Sequence, residues 1–145
     1  MKRVLSLSSA ERVRLLRRRA LRFLEDVRRA LQDGFYDMAG FYAEQAAQLY
    51  AKALLLELAS YVPTTHDVRD ILVLIGEALP EDLKQSLHDF SREHRHELTE
   101  LTDICTSARC GPRALTQEEA TATLEVVEEL LNLLDAVREG VRCVE

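Results

Sequence analysis

Residues 35–61 read FYDMAGFYAEQAAQLYAKALLLELASY, and this stretch decides the fold. Apolar side chains stand at almost every angle around a helix drawn through it, and from position 38 onward only Glu44, Lys52 and Glu57 are charged. A soluble helix that is apolar nearly all round has to be covered by neighbours on several sides. Polar residues interrupt the stretch too often for a membrane span. We therefore predict the central helix of a bundle.

The polar residues of this helix fall on one line. Glu44, Gln48 and Lys52 follow each other at i, i+4 and i+8, so their side chains share one face of the helix. We expect this polar line to be the solvent-exposed edge of an otherwise buried helix. A polar cleft between two subunits is the alternative.

Helix signals divide the flanking sequence. Ser8 and Glu11 form a capping box that starts helix 1, and Gly34 ends it. Pro63 ends the central helix 2. Thr64 or Thr65 is then expected to cap a short helix 3 over residues 66–78.

Two more helices complete the pattern. Helix 4 follows Pro80 over residues 81–108, and its wholly charged middle, residues 92–97, allows a bend there. Thr116 and Glu119 form a second capping box that opens helix 5, with Gly140 as its end signal.

The composition agrees with this pattern. The 145 residues are 47% hydrophobic and 30% charged, and they include only five Gly and three Pro, too few for the turns of a many-stranded sheet. We predict an all-α protein with one domain over residues 1–145, folded as an antiparallel up-down bundle of about five helices.

Positive charge is concentrated at the start of the chain. Residues 1–31 carry ten Lys or Arg against three Asp or Glu, whereas residues 32–145 carry nine against twenty-two. We expect the arginines of helix 1 to pair with acidic helices of the same chain or of a second subunit. Binding of RNA phosphates is the alternative, although interleaved aromatic residues are missing. The arginines opposite the apolar face are Arg14, Arg17, Arg18, Arg22, Arg28 and Arg29.

Neither a membrane nor an oxidising compartment is indicated. The sequence has no apolar run long enough for a bilayer and no signal-peptide pattern. Its three cysteines include no CxxC pair and do not form an even disulfide framework. We predict a cytoplasmic protein without a membrane partner.

Four motifs follow one another along the chain. They are Asp37-x3-Phe41-x2-Glu44-Gln45-Ala46, then Lys52-Ala53-Leu54-Leu55, then Pro63-x2-His66-Asp67-Val68, and Ala108-Arg109 at the exit of helix 4. Their order and spacing, over about residues 17–137, resemble the HEPN domain family. The resemblance implies an antiparallel helical bundle that commonly dimerises. Family members include partners of minimal nucleotidyltransferases, often in toxin–antitoxin pairs, and metal-independent ribonucleases.

The resemblance also implies a cleft that binds a nucleotide or a phosphate, with Lys52, His66 and Arg109 as candidate residues. Simpler roles are open for two of them. His66 and Asp67 stand at a helix start, where an acidic residue interacts favourably with the helix dipole, and Arg109 stands at a helix end, where a cation does the same.

The ribonuclease members of the family carry an Arg and a His separated by four to six residues. None of the four histidines stands at that distance after an arginine; the nearest pair, Arg92 and His96, has three intervening residues. Cys105 and Cys110 also stand where the family usually has Tyr. We expect a non-catalytic module without a cofactor; a metal-independent ribonuclease toxin with a degenerate motif at Arg92 and His96 is the alternative.

Two further expectations concern assembly and metals. The aromatic residues of helix 2 exceed what one chain is expected to cover, which predicts a homodimer, with a minimal nucleotidyltransferase as the implied partner. His88, His94 and His96 lie among carboxylates, but no two of them have the i, i+3 or i+4 spacing of a helical chelate. We predict a solvated charged face there and no metal site. The aromatic residues in question are Phe35, Tyr36, Tyr42 and Tyr50.

Overall fold

The computed structural model describes the backbone of residues 7–110 and 114–144, and the side chains of this part except 105–110 and 144. This part of the chain contains six α-helices and no strand, so the all-α prediction is confirmed. The helices are α1 (Ser9–Gln32), α2 (Tyr36–Ala59), α3 (Val68–Glu77), α4 (Glu81–Glu93), α5 (Arg95–Cys110) and α6 (Gln117–Val144).

Both ends of α1 follow from the local sequence. Ser8 Oγ accepts a hydrogen bond from the backbone N–H of Glu11 at 3.2 Å, as the capping box predicts. At the other end Gly34 has a φ of +78°, and the N–H of Phe35 donates to the carbonyl of Ala30 at 2.8 Å. This left-handed turn satisfies the last carbonyls of α1 and reverses the chain, so that α2 packs back against α1.

Helix α2 lies at the centre of the bundle, as its sequence predicts. It contacts α1, α3, α5 and α6 among the described residues. Fourteen of its residues are buried, and Leu54 retains 1% exposure. Six of the fourteen are alanines, whose small side chains let the neighbouring helices approach its backbone closely.

The predicted fourth helix is instead two helices, so the expected bundle of about five helices contains six in the described part of the chain. Helix α4 ends at Glu93, His94 is its C-cap, and α5 begins at Arg95. The His94 side chain is only 16% exposed, and its ring lies 4.5 Å from that of Phe90. The charged sequence around His94 provides no continuous apolar stripe, and the break lets the two parts pack separately. Helix α5 contacts α2, whereas α4 contacts α3, α5 and α6.

The cap of α3 differs from the expectation. Asp67, not Thr64 or Thr65, is the N-cap, because Asp67 Oδ1 accepts a hydrogen bond from the N–H of Arg69 at 2.9 Å. Thr65 Oγ1 instead accepts a hydrogen bond from the N–H of Asp67, at 3.2 Å, just before the helix begins. The helix therefore begins two residues later than predicted, at Val68.

Helix α6 begins as predicted but continues beyond its expected end. Thr116 and Glu119 form the reciprocal capping box, with N–H to side-chain distances of 3.2 and 3.1 Å. Gly140 does not end the helix. A Cβ atom at that position would lie 2.8 Å from Leu83 Cδ2, so this glycine permits close packing between α6 and α4.

Candidate functional site

The polar line of α2 is buried, so its prediction as a solvent-exposed edge is wrong. Glu44, Gln48 and Lys52 are 1%, 5% and 7% exposed. The segment between α2 and α3 brings His66 to Lys52, with 3.4 Å between Lys52 Nζ and His66 Nδ1. Three polar side chains can be buried here because they bind one another, as buried polar groups generally must.

The hydrogen bonds of this buried cluster fix the orientation of the Gln48 amide. Gln48 Nε2 donates to Glu44 Oε1 at 2.7 Å, and Gln45 Nε2 donates to the other carboxylate oxygen at 2.8 Å. The carboxylate therefore fixes the orientation of the Gln48 amide, whose oxygen is left to face the cation. Lys52 Nζ donates to that oxygen at 3.2 Å.

His66 is the exposed member of the cluster. Its Nδ1 lies 3.0 Å from Gln48 Oε1, and because an amide oxygen only accepts, this contact places the ring proton on Nδ1. The second ring nitrogen, Nε2, has no partner among the described side chains. His66 therefore connects the buried amine of Lys52 with the protein surface.

Burial lowers the pKa of Lys52, because the ammonium loses hydration, and the nearby carboxylate of Glu44 opposes the change. An anion bound beside Nζ would replace part of the lost hydration and favour the charged amine. The structure thus brings Lys52 and His66 together, two of the three candidate residues from the sequence. The third, Arg109, lies on α5, but its side chain falls outside the described part.

Asp67 has a structural role beside this cluster. Arg69 donates to both of its carboxylate oxygens, from Nε at 3.1 Å and from Nη2 at 2.7 Å, and also to Thr99 Oγ1 on α5 at 3.1 Å. The bond from Arg69 lowers the pKa of Asp67. Asp67 therefore caps α3 and, through Arg69, attaches it to α5, which leaves His66 as the member of this pair that is available to a ligand.

A second polar cluster joins α1, α2 and α6. Arg17 Nη2 donates to Tyr50 Oη at 2.7 Å and lies 3.2 Å from Asp135 Oδ1, and its guanidinium stands 4.6 Å above the Tyr50 ring. Tyr50 donates its own proton to Asp135. Burial, followed by the bond to Asp135, raises the pKa of Tyr50 to about 12.

Sequence reasoning predicted that Arg17 would pair with an acidic helix, but it missed the burial of Tyr50 and the packing of Arg17 against it. Arg17 was expected on the basic face of helix 1, and Tyr50 on an aromatic surface between subunits, yet Tyr50 is 3% exposed within its own chain. One signal was available: at 100° per residue, Arg17 stands about 20° from Leu24, a core residue. An arginine at the border of an apolar face can turn inward to meet a buried hydroxyl and a carboxylate.

The HEPN domain profile matches residues 13–137. The chain belongs to the HEPN domain family. The match covers all six helices at least in part, including the whole buried cluster of α2. A comparison with curated proteins gives no match.

The alternative catalytic residues of this HEPN domain lie on different helices. Arg92, on α4, is 66% exposed and lies 3.3 Å from Asp89. His96, on α5, is 82% exposed and lies 3.3 Å from Glu100. Each residue therefore interacts with a carboxylate on its own helix, and the break at His94 stands between them.

The histidines of this HEPN domain form no metal centre with other side chains in the described part of the chain. Within residues 7–104 and 114–143, no group of three His, Cys, Asp or Glu side chains is arranged to hold an ion. His94 Nε2 lies 3.3 Å from Glu129 of α6. In the same described regions, no helix combines the length and the hydropathy of a membrane span.

Proposed function

We propose that this HEPN domain is a non-catalytic binding module, the homodimeric partner of a minimal nucleotidyltransferase, and that it binds a nucleotide phosphate through Lys52, His66 and Arg109. The observation that carries the proposal is the buried amine of Lys52 lying 3.4 Å from the exposed imidazole of His66. A phosphate that meets the His66 ring at the surface comes within reach of an ammonium held in a site of low hydration.

The cluster is prepared for such a ligand by its hydrogen bonds. Gln48 uses its amide oxygen to hold both Lys52 and His66, and Glu44 fixes the Gln48 amide from the other side. The ammonium has three donors and Gln48 takes one. Bonds from charged donors to phosphate oxygens are the stronger class of hydrogen bond, and low local hydration strengthens them further.

The binding role is favoured over ribonuclease chemistry by the sequence spacing and by the placement of Arg92 and His96. Metal-independent cleavage of RNA needs a proton acceptor beside the attacking 2′-hydroxyl and a cation beside the phosphate. In this chain each of the two residues faces a neighbouring carboxylate on its own exposed helix face, Asp89 for Arg92 and Glu100 for His96.

The homodimer is supported by exposed apolar residues at the start of α2. Phe35 is 62% exposed and Met38 is 39% exposed, and Phe41 and Tyr42, which follow on the same helix, are partly exposed. A twofold contact between two copies would cover this patch with itself. Light scattering should then give twice the 16.5 kDa chain mass.

Isothermal titration with AMP and ATP tests the phosphate site. We expect His66→Gln and Lys52→Gln each to weaken binding by about tenfold or more, the loss that accompanies removal of one charged hydrogen bond. Lys84→Gln, which removes an exposed cation on α4, is the matched control and should leave the affinity unchanged. Equal affinity in all four proteins would refute the site.

Incubation with total RNA in EDTA tests the activity class. We expect no cleavage by the purified domain, and capture of a minimal nucleotidyltransferase when the domain is purified from cells that encode one. Cleavage by the wild type that disappears in the Arg92→Ala/His96→Ala variant would overturn the proposal in favour of the ribonuclease.

A further inference from the structure

The solvent side of α1 carries arginines that no carboxylate of the described chain pairs with. These side chains are exposed, whereas the opposite side of the helix packs on α2. We call them the arginine face; its members are Arg12, Arg14, Arg18, Arg19 and Arg29.

Two other arginines of α1 form ion pairs with carboxylates of α6. Arg17 lies 3.2 Å from Asp135, and Arg28 lies 3.9 Å from Glu128, both on α6. The expectation that helix 1 pairs with acidic helices of the same chain therefore holds for these two only. No arginine of the face forms an ion pair with a carboxylate of residues 7–104 and 114–143.

The arginine face has a regular spacing. Arg14 and Arg18 of the face follow at i and i+4, about 6 Å apart along the helix axis, and Arg22, which lies 3.8 Å from Asp26 and is not a member of the face, continues the row at i+8. Arg29 falls within the same arc of about 80°. The face extends for about 25 Å, and two exposed acidic residues fall within the same arc, Glu11 at its start and Glu25 between Arg22 and Arg29.

Like charges at i and i+4 repel each other and disfavour a helix. This row therefore lowers the stability of α1 unless a polyanion neutralises it. The negative net charge of −6 does not remove the attraction, because physiological salt screens charges more than about 8 Å away. A polyanion in contact with the arginine face is therefore attracted by the nearby arginines and is little affected by the more distant acidic residues.

Two features distinguish a nucleic acid from an acidic protein as the partner. Every cation of α1 is an arginine, whose planar group binds phosphate oxygens in pairs. Protein interfaces need a buried apolar centre, and Leu21, at 48% exposure, is the single large exposed apolar side chain among the described residues of this helix. We propose that the arginine face binds the phosphodiester backbone of a nucleic acid, without reading its sequence.

Fluorescence anisotropy with labelled oligonucleotides tests this surface. The probes are single-stranded RNA, an RNA hairpin, single-stranded DNA and duplex DNA of equal length, each titrated between about 50 and 200 mM salt. The test variant is Arg14→Gln/Arg18→Gln/Arg29→Gln. The control, Lys84→Gln/Arg95→Gln/Arg142→Gln, removes the same charge from exposed positions on other helices.

We expect the wild type to bind, with a log–log salt slope of about −3.5 on single strands if five phosphates are neutralised. The test variant should reduce the magnitude of that slope by about 2, whereas the control should leave it unchanged. The ranking of the four probes identifies the kind of nucleic acid. Circular dichroism confirms that both variants remain folded.

Four results would overturn the proposal. The first is no binding of any probe at low salt, and the second is an equal loss of affinity in the test and control variants. The third is displacement of RNA by poly-glutamate at equal charge concentration, which would assign the face to acidic proteins. A dimer that dissociates only in the test variant would likewise place the face between two copies of the chain.

Discussion

Replacing Tyr50 by Phe isolates the contribution of one buried hydroxyl group to stability. The substitution keeps the ring beneath Arg17 and removes two hydrogen bonds, one accepted from Arg17 at 2.7 Å and one donated to Asp135. Arg17 and Asp135 can still pair with each other at 3.2 Å. We expect the free energy of unfolding to fall by about 2–3 kcal/mol at neutral pH, because both lost bonds involve a charged partner.

The pH dependence provides a separate test of the same buried hydroxyl group. Burial and the bond to Asp135 raise the pKa of Tyr50 from 10.0 to about 12, so the folded state holds the phenol proton more tightly than the unfolded chain. The resulting stabilisation is fully present below pH 10 and is lost as the pH rises through 12. A shift of this size corresponds to about 2.7 kcal/mol in all, and to about 1.4 kcal/mol lost by pH 11.

Chemical denaturation of the wild type and of Tyr50→Phe at pH 7, 9 and 11 measures both effects. The difference between the two proteins should stay constant up to pH 9 and shrink by about 1.4 kcal/mol at pH 11. Tyr61→Phe, at a tyrosine that is 44% exposed, is the control for removal of a hydroxyl group alone. A difference below about 0.5 kcal/mol at pH 7, or one that does not change at pH 11, would refute the role of the cluster.

Three further predictions test the core, the cap and the assembly. Leu54→Ala should lower the free energy of unfolding by about 2–5 kcal/mol in urea, against at most about 0.5 kcal/mol for the half-exposed Leu21→Ala; equal effects would contradict the central position of α2. Asp67→Asn, which keeps an N-cap, should cost about 0.5–1 kcal/mol at pH 7 through loss of the ion pair with Arg69. Because Arg69 lowers the pKa of the folded carboxyl, this difference should be fully present above pH 3.8 and be lost as the pH falls through the lower pKa of the folded state; a difference that persists in strong acid would contradict the ion pair. Phe35→Glu/Met38→Glu should halve the mass measured by light scattering, and an unchanged mass would exclude this patch from the dimer contact.

The helices were predictable from the sequence where the signals are local. The capping boxes at Ser8 and Thr116 and the left-handed turn at Gly34 need only neighbouring residues, and each is present in the structure. Gly140 was misread because a glycine near a helix end has the same local pattern whether it ends the helix or makes room for another one. A glycine is needed at this position because Leu83, on a different helix, packs closely against it.

The candidate site was only partly predictable, because polar residues at i and i+4 give the same sequence pattern on a solvent-exposed face and in a buried cluster. The sequence identified Lys52 and His66 as candidates through the family motifs, but it placed the polar line in solvent. What buries the line is its pairing, Gln48 with Glu44 on one side and with Lys52 and His66 on the other. His66 comes from the segment between α2 and α3, and its contact with the line cannot be read from a pattern within one helix.

The break at His94 has a consequence for the motions of the protein. Helix α4 buries only Leu87 completely, makes no contact with α2 in the described chain, and is bounded by Pro80 and the break. Its amide protons should therefore exchange with solvent deuterium through local opening, at a lower free energy than those of α2, which require global unfolding. Opening of α4 would expose Leu72 of α3, which lines a cavity together with Leu87 of α4.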